Sequence, residues 1–122
     1  MIIVDASIWI DQIRRPDAIF ADLLYRQVVV MHPFIAGEIM LGSMKDRAQV
    51  GATLAALDPA PVAEPDEVAN LIESAVLFGT GIGYVDVHLI ASALLMVGGR
   101  IWTRDRRLHN VAERLGIALA IA

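Results

Sequence analysis

The chain has 122 residues, 57% of them hydrophobic and 20% charged, with a net charge of −4 and no cysteine. That length suits one domain with its own core, and the composition excludes disorder. The missing cysteines exclude a disulfide framework, a thiolate nucleophile and a Cys-zinc site, and fit a reducing cytoplasm. The apolar share is large for one small core, which points to an interface with a second copy or a partner protein. Met1 leads directly into an apolar run with no basic segment, so no signal peptide is expected. Nine of the ten basic residues are Arg, the type suited to bidentate phosphate contacts.

In chain order, residues 2–5 read as a short buried strand. A helix follows from Ala6 to Arg15, with Asp5 near its N-cap and Pro16 beyond its end. Asp17 caps a second helix running to Tyr25, and Val28 to Met31 is a β-branched strand. Pro33 suits the first position of a helix to about Ser43. Another helix fits Lys45 to Leu57, stopped by Asp58-Pro59, and Pro61-Val62 is a weak strand. Pro65 opens a helix to Phe78. Gly79 to Gly83 is a loop without the strand context of a dinucleotide-binding turn. The helix Asp86 to Val97 is stopped by Gly98-Gly99. A strand at 101–103, a helix at 105–115 and a last strand at 117–121 complete the chain. Strands alternating with helices predict an α/β fold: one domain over 1–122, with a short parallel sheet of four to five strands flanked by helices.

Three acids stand at the edges of apolar segments: Asp5, Asp86 and Asp105. In an open parallel sheet, strand C-termini and helix N-termini share one edge, where ligands bind. Each acid alone is explained as a helix cap. Helical phase says more. Asp86 shares a face with Ile90, Ala93, Leu94 and Val97, so it is expected to point inward. Glu38 is the only charge between Pro33 and Met44, and a lone acid in an apolar helix needs a partner. Four acids from four segments, without cysteine, suit a hard cation such as Mg2+ or Mn2+ and phosphodiester hydrolysis by metal-activated water. Ser7 and Thr103, two residues from Asp5 and Asp105, are either supporting hydroxyls or plain caps. Arg104, Arg106 and Arg107 flank Asp105 and are the candidate RNA contacts. His109, four residues after Asp105, reads as a surface histidine rather than a zinc ligand.

The segments Val4-Asp5-Ala6-Ser7-Ile8-Trp9-Ile10-Asp11, Ile35-Ala36-Gly37-Glu38-Ile39, Tyr84-Val85-Asp86-Val87-His88-Leu89-Ile90-Ala91 and Trp102-Thr103-Arg104-Asp105 resemble the PIN-domain pattern. The order and spacing look most like VapC-type toxins of bacterial type II toxin–antitoxin modules. The resemblance implies a Mg2+- or Mn2+-dependent endoribonuclease that cuts structured RNA such as tRNA or rRNA. It places catalysis on Asp5, Glu38, Asp86 and Asp105, with metal on Asp5, Asp86 and Asp105. Asp11 is a secondary candidate, because on a helix it points away from Asp5. The resemblance also implies a homodimer inhibited by a cognate antitoxin. Ile39, Met40 and Met44 would form a Met-rich groove for a partner helix, or else ordinary core. Two other readings compete: a phosphatase or phosphotransferase with Asp5 as nucleophile, and a non-catalytic binding module on the same fold.

Overall fold

The computed structural model describes residues 1–121. Four parallel strands form its sheet: β1 (Ile2–Val4), β2 (Val29–Met31), β3 (Asp58–Pro59) and β4 (Arg100–Trp102), in the order β3-β2-β1-β4. β1 is central, pairing Ile3 with Val30 on one side and with Ile101 on the other. All three β1 residues are buried, as expected for a strand covered on both faces. The strand order reverses between β1 and β4. At such a switch point neighbouring connections diverge and leave a crevice beyond the strand ends.

Seven helices surround the sheet: α1 (Ala6–Arg14), α2 (Ala18–Tyr25), α3 (Pro33–Met40), α4 (Arg47–Ala55), α5 (Pro65–Ser74), α6 (Tyr84–Leu95) and α7 (Arg106–Arg114). α6 packs on β1 and β4, α7 on β4, and α1 on α3. Among the described residues, no helix is long and apolar enough to cross a membrane. Trp9, Phe20 and Trp102 meet edge to face, with centroids 4.7 and 5.5 Å apart, and tie α1 and α2 to β4.

Several expected boundaries shift for identifiable reasons. β3 lies at Asp58–Pro59, not at Pro61-Val62. Its pairing with Val30 and Met31 spans two residues at the sheet edge, where a proline is tolerated. The helix from Pro33 stops at Met40 because the Arg47 guanidinium donates to the Met40 and Gly42 carbonyls, both at 2.7 Å. The expected strand at 117–121 shrinks to a bridge between Ile101 and Ala118.

α5 stops at Ser74 rather than Phe78, since Val76 turns left-handed at φ 52°. The Leu77 N–H then bonds the Ile72 carbonyl at 2.9 Å and the Val76 N–H bonds the Glu73 carbonyl at 3.3 Å. This is a Schellman ending, and α7 makes the same one with Gly116 at φ 74°. Glycine suits that position, whereas a β-branched residue there is strained. Arg114 clamps the turn through the Ala75 and Val76 carbonyls, at 2.9 and 3.2 Å. Val76 is half exposed, so little burial is lost on truncation. Val76→Gly is expected to raise stability by about 1 kcal/mol, the strain relieved less the entropy glycine adds to the unfolded chain. Denaturant melts showing Val76→Gly at or below the parent would contradict this.

Candidate active site

The switch-point crevice collects the acids. Asp5 directly follows β1, and its N–H continues the ladder to the Trp102 carbonyl at 2.9 Å. It also caps α1, its Oδ1 accepting from the Ala6 N–H at 2.8 Å. Its Oδ2 accepts from the Thr103 hydroxyl at 2.7 Å. The same Thr103 oxygen accepts the Asp105 N–H at 3.0 Å. Buried Thr103 thus couples the end of β1 to the start of α7. Asp105 caps α7, its Oδ1 accepting the Leu108 N–H at 2.9 Å. The cap reading therefore holds for Asp5 and Asp105, and it leaves a place in a site open to both. Thr103 is a support and a cap together, whereas Ser7 is exposed and its hydroxyl makes no hydrogen bond among the described residues.

Asp86 sits in the first turn of α6, half-buried, its Oδ2 accepting the Gly83 N–H at 3.2 Å. Burial raises its pKa, and Asp5 and Asp105 raise it further, against the Gly83 bond, which lowers it. Of the face assigned to Asp86, Ile90 and Ala93 are buried, but Leu94 is exposed within α6 and Val97 lies exposed beyond its end at Leu95. Glu38 stands at the exposed rim on α3. Desolvation raises its pKa first, then the charges of Asp5 and Asp86. Glu38 and Asp86 each feel the charge of Asp5, and Asp86 feels that of Asp105, so the four acids form one acidic seam.

Among the described residues, none of these four acids forms an ion pair. Like charges so arranged fit a cation. No three acid or histidine side chains among the described residues converge on one point as a closed metal cage would. The donor set fits Mg2+ in its usual protein setting, where one or two carboxylates hold the ion and substrate phosphate and waters complete the shell.

The remaining candidates divide. Arg104 pairs with Asp11, on the surface beside Arg14 and Arg15, in a cavity of about 430 Å³ floored by Phe20 and Trp102. Asp11 therefore lies outside the acidic seam, as its helical phase predicted. Arg14 and Arg15 escape the sequence reading because they close this cavity only when α1 meets β4. Arg107 reaches over the loop toward the Gly81 carbonyl at 3.5 Å, and Arg106 is exposed. His109 turns to Glu113 at 3.4 Å, away from Asp105. His32 and His88 are both buried. Ile39 is core, while half-buried Met40 and Met44 line apolar grooves on two sides of α4. Both readings of that segment are thus realised, by different residues.

The PIN domain family model matches residues 2–114 of this chain. Ribonuclease VapC32 of Mycobacterium tuberculosis, in strains CDC 1551 / Oshkosh and ATCC 25618 / H37Rv, is 42% identical over 120 residues, covering 98% of this chain and 97% of that protein. With its parallel sheet and its acids gathered at the switch point, the chain belongs to the PIN-domain family and is of the VapC type.

Proposed function

We propose that this protein is the endoribonuclease toxin of a type II toxin–antitoxin pair, cutting structured RNA such as tRNA or rRNA with Mg2+ or Mn2+. The observation that carries this reading is the acidic seam of Glu38, Asp5, Asp86 and Asp105, none of which forms an ion pair among the described residues. A divalent ion, when bound, supplies the positive charge that lets a phosphodiester approach these carboxylates and lowers the pKa of the attacking water. Asp5 is the best-fixed acid, because Thr103 and the first turn of α1 hold both its oxygens. Asp86 and Glu38 carry raised pKa values, so they hold protons more readily than ordinary carboxylates until a cation displaces them. Arg106, exposed beside Asp105, and Arg107, over the Gly81 loop, would steer the RNA backbone, with Arg104 held by Asp11 further out.

The relatives are VapC proteins, and a cognate antitoxin is the expected partner, in the cytoplasm. The Met40 and Met44 grooves suit an amphipathic helix. Leu94, Leu95 and Val97 leave an exposed apolar end on α6, which supports a homodimer. The test is purified protein incubated with total RNA and Mg2+, Mn2+ or EDTA, followed by sequencing of the new ends, with Asp5→Asn as control. Discrete cuts that need the metal and disappear in Asp5→Asn are expected. Cleavage that persists in EDTA, or in Asp5→Asn free of contaminants, would sink the assignment.

A further inference from the structure

At the opposite end of α1 from Asp5 lies the cavity of about 430 Å³ that the mechanism above does not use. Three guanidiniums close it: Arg14 and Arg15 from the end of α1, and Arg104 from just beyond β4. Two cations at a helix C-terminus are ordinary, since they complement its dipole. A third, converging on them from the far end of a chain of net charge −4, has no such explanation. Two carboxylates also line the cavity, and both are engaged. Asp11 pairs with Arg104, and Asp17 caps α2, its Oδ1 accepting the Ile19 N–H at 2.6 Å. Arg14 and Arg15 are exposed and form no ion pair among the described residues.

Beneath this cationic rim the floor is apolar, made by Trp102 with Phe20 and Ile8 behind it. A cavity of this size suits a small organic group rather than a single ion. Cations over an apolar floor match a nucleotide, which joins a phosphate to a base with flat apolar faces. The cavity is not isolated. A second one, of about 620 Å³, shares Asp17, Trp102 and Arg104 with it and runs on to Thr103, whose hydroxyl holds Asp5. A concave path thus leads from Thr103, beside Asp5, round the end of β4 to Arg14 and Arg15.

Resting on the ribonuclease reading for its source, we propose that this cavity is a subsite for a nucleotide of the RNA strand, away from the cut, with its phosphate on Arg14 and Arg15 and its base over Trp102. Asp11 occupies Arg104, so the subsite works below its full positive charge.

The test is calorimetry in EDTA, where the acidic seam without a cation repels phosphate and binding reports on the cavity. The probes are a short single-stranded RNA and adenosine 5′-monophosphate. Arg14→Gln/Arg15→Gln is expected to weaken RNA binding about tenfold. It should also flatten the dependence of log K on log salt by about 0.7, the share of one phosphate in a single strand. Asp11→Asn, which frees Arg104, should tighten RNA binding. Arg26→Gln/Lys45→Gln removes the same charge outside the cavity and should cost far less. Bound RNA should quench tryptophan emission, and the quench should vanish in Trp102→Phe, where Trp9 is the only indole left. Equal losses in the two double variants, or weaker binding by Asp11→Asn, would overturn the subsite. So would RNA affinity untouched by the Arg14 and Arg15 changes; if the mononucleotide alone is lost, the cavity belongs to a free nucleotide. A parent that binds RNA through Arg14 and Arg15 but cuts none in Mg2+ or Mn2+ would overturn the ribonuclease reading and leave the binding site standing.

Discussion

Asp86→Asn is expected to lose RNA cleavage by about a thousandfold or more, and at neutral pH to melt above the parent protein. The first effect follows from removing a carboxylate at the centre of the seam. Charge stabilisation of several kcal/mol by a bound cation depends on such ligands, and each 1.4 kcal/mol is tenfold in rate. The second effect follows from the burial of the Asp86 charge and, after that, from its acidic neighbours. Its folded pKa is raised above the ordinary 3.8 by burial and by Asp5 and Asp105. Between those two values the folded chain binds more protons than the unfolded one, so stability falls as pH rises. Above the folded value the penalty is complete and constant. Asparagine keeps the shape and an acceptor for the Gly83 N–H but carries no charge. The gap in Tm between Asp86→Asn and the parent should therefore open as pH climbs from about 4 and hold steady at neutrality. Added Mg2+ should close it by stabilising the parent alone. Thermal melts at several pH values decide this. A parent that is the more stable at pH 7.5 without metal would show that the seam is not electrostatically strained.

Gly99→Ala is expected to cost more than about 3 kcal/mol, at or above the upper range for overpacking a core. A Cβ at residue 99 would sit 2.2 Å from the Ala93 carbonyl oxygen and 3.0 Å from its carbon. Both atoms belong to the backbone of α6, which cannot swing aside as a side chain can. Gly99 is buried, its N–H bonds the Met96 carbonyl at 3.1 Å, and β4 starts at the next residue. Any relief must move α6 or β4, and with them Asp86 or Thr103. A domain has about 5–15 kcal/mol to lose. Gly37 is the internal control: it is exposed on α3, with nothing within 4 Å of an added Cβ. Gly37→Ala should gain up to about 1 kcal/mol. Chemical denaturation of both variants checks the contrast, and a Gly99→Ala protein within 1 kcal/mol of the parent would refute it.

The sequence reading succeeded where local chemistry decides the outcome. Asp5, Asp17 and Asp105 are N-caps as expected, and the alternation of strands and helices led to the parallel sheet. It missed what distant residues impose. β3 exists because β2 offers an edge, and nothing in Asp58-Pro59 itself favours a strand. α3 ends early because an arginine seven residues further on reaches back to its last carbonyls. α5 ends early on a left-handed valine that no propensity would select. For the candidate site, the sequence proposed four acids, but a hydroxyl's partner is not written in its neighbours. Ser7 and Thr103 stand at equal sequence distance from an acid, yet Thr103 bonds two segments and Ser7 none. The cavity of Arg14, Arg15 and Arg104 went unread because α1 and β4 are far apart in the chain.

The bond from Thr103 to Asp5 joins residues 98 positions apart. β1 is made long before the strand that completes its far side and the hydroxyl that fixes its aspartate. A nascent or truncated chain that stops before Arg100 carries Asp5, Glu38 and Asp86 yet leaves β1 with an open edge and Asp5 without its anchor. Long-range closure of this kind is slow and comes late in folding. The topology thus leaves the Asp5 corner of the site unfinished until Arg100 to Thr103 have been made.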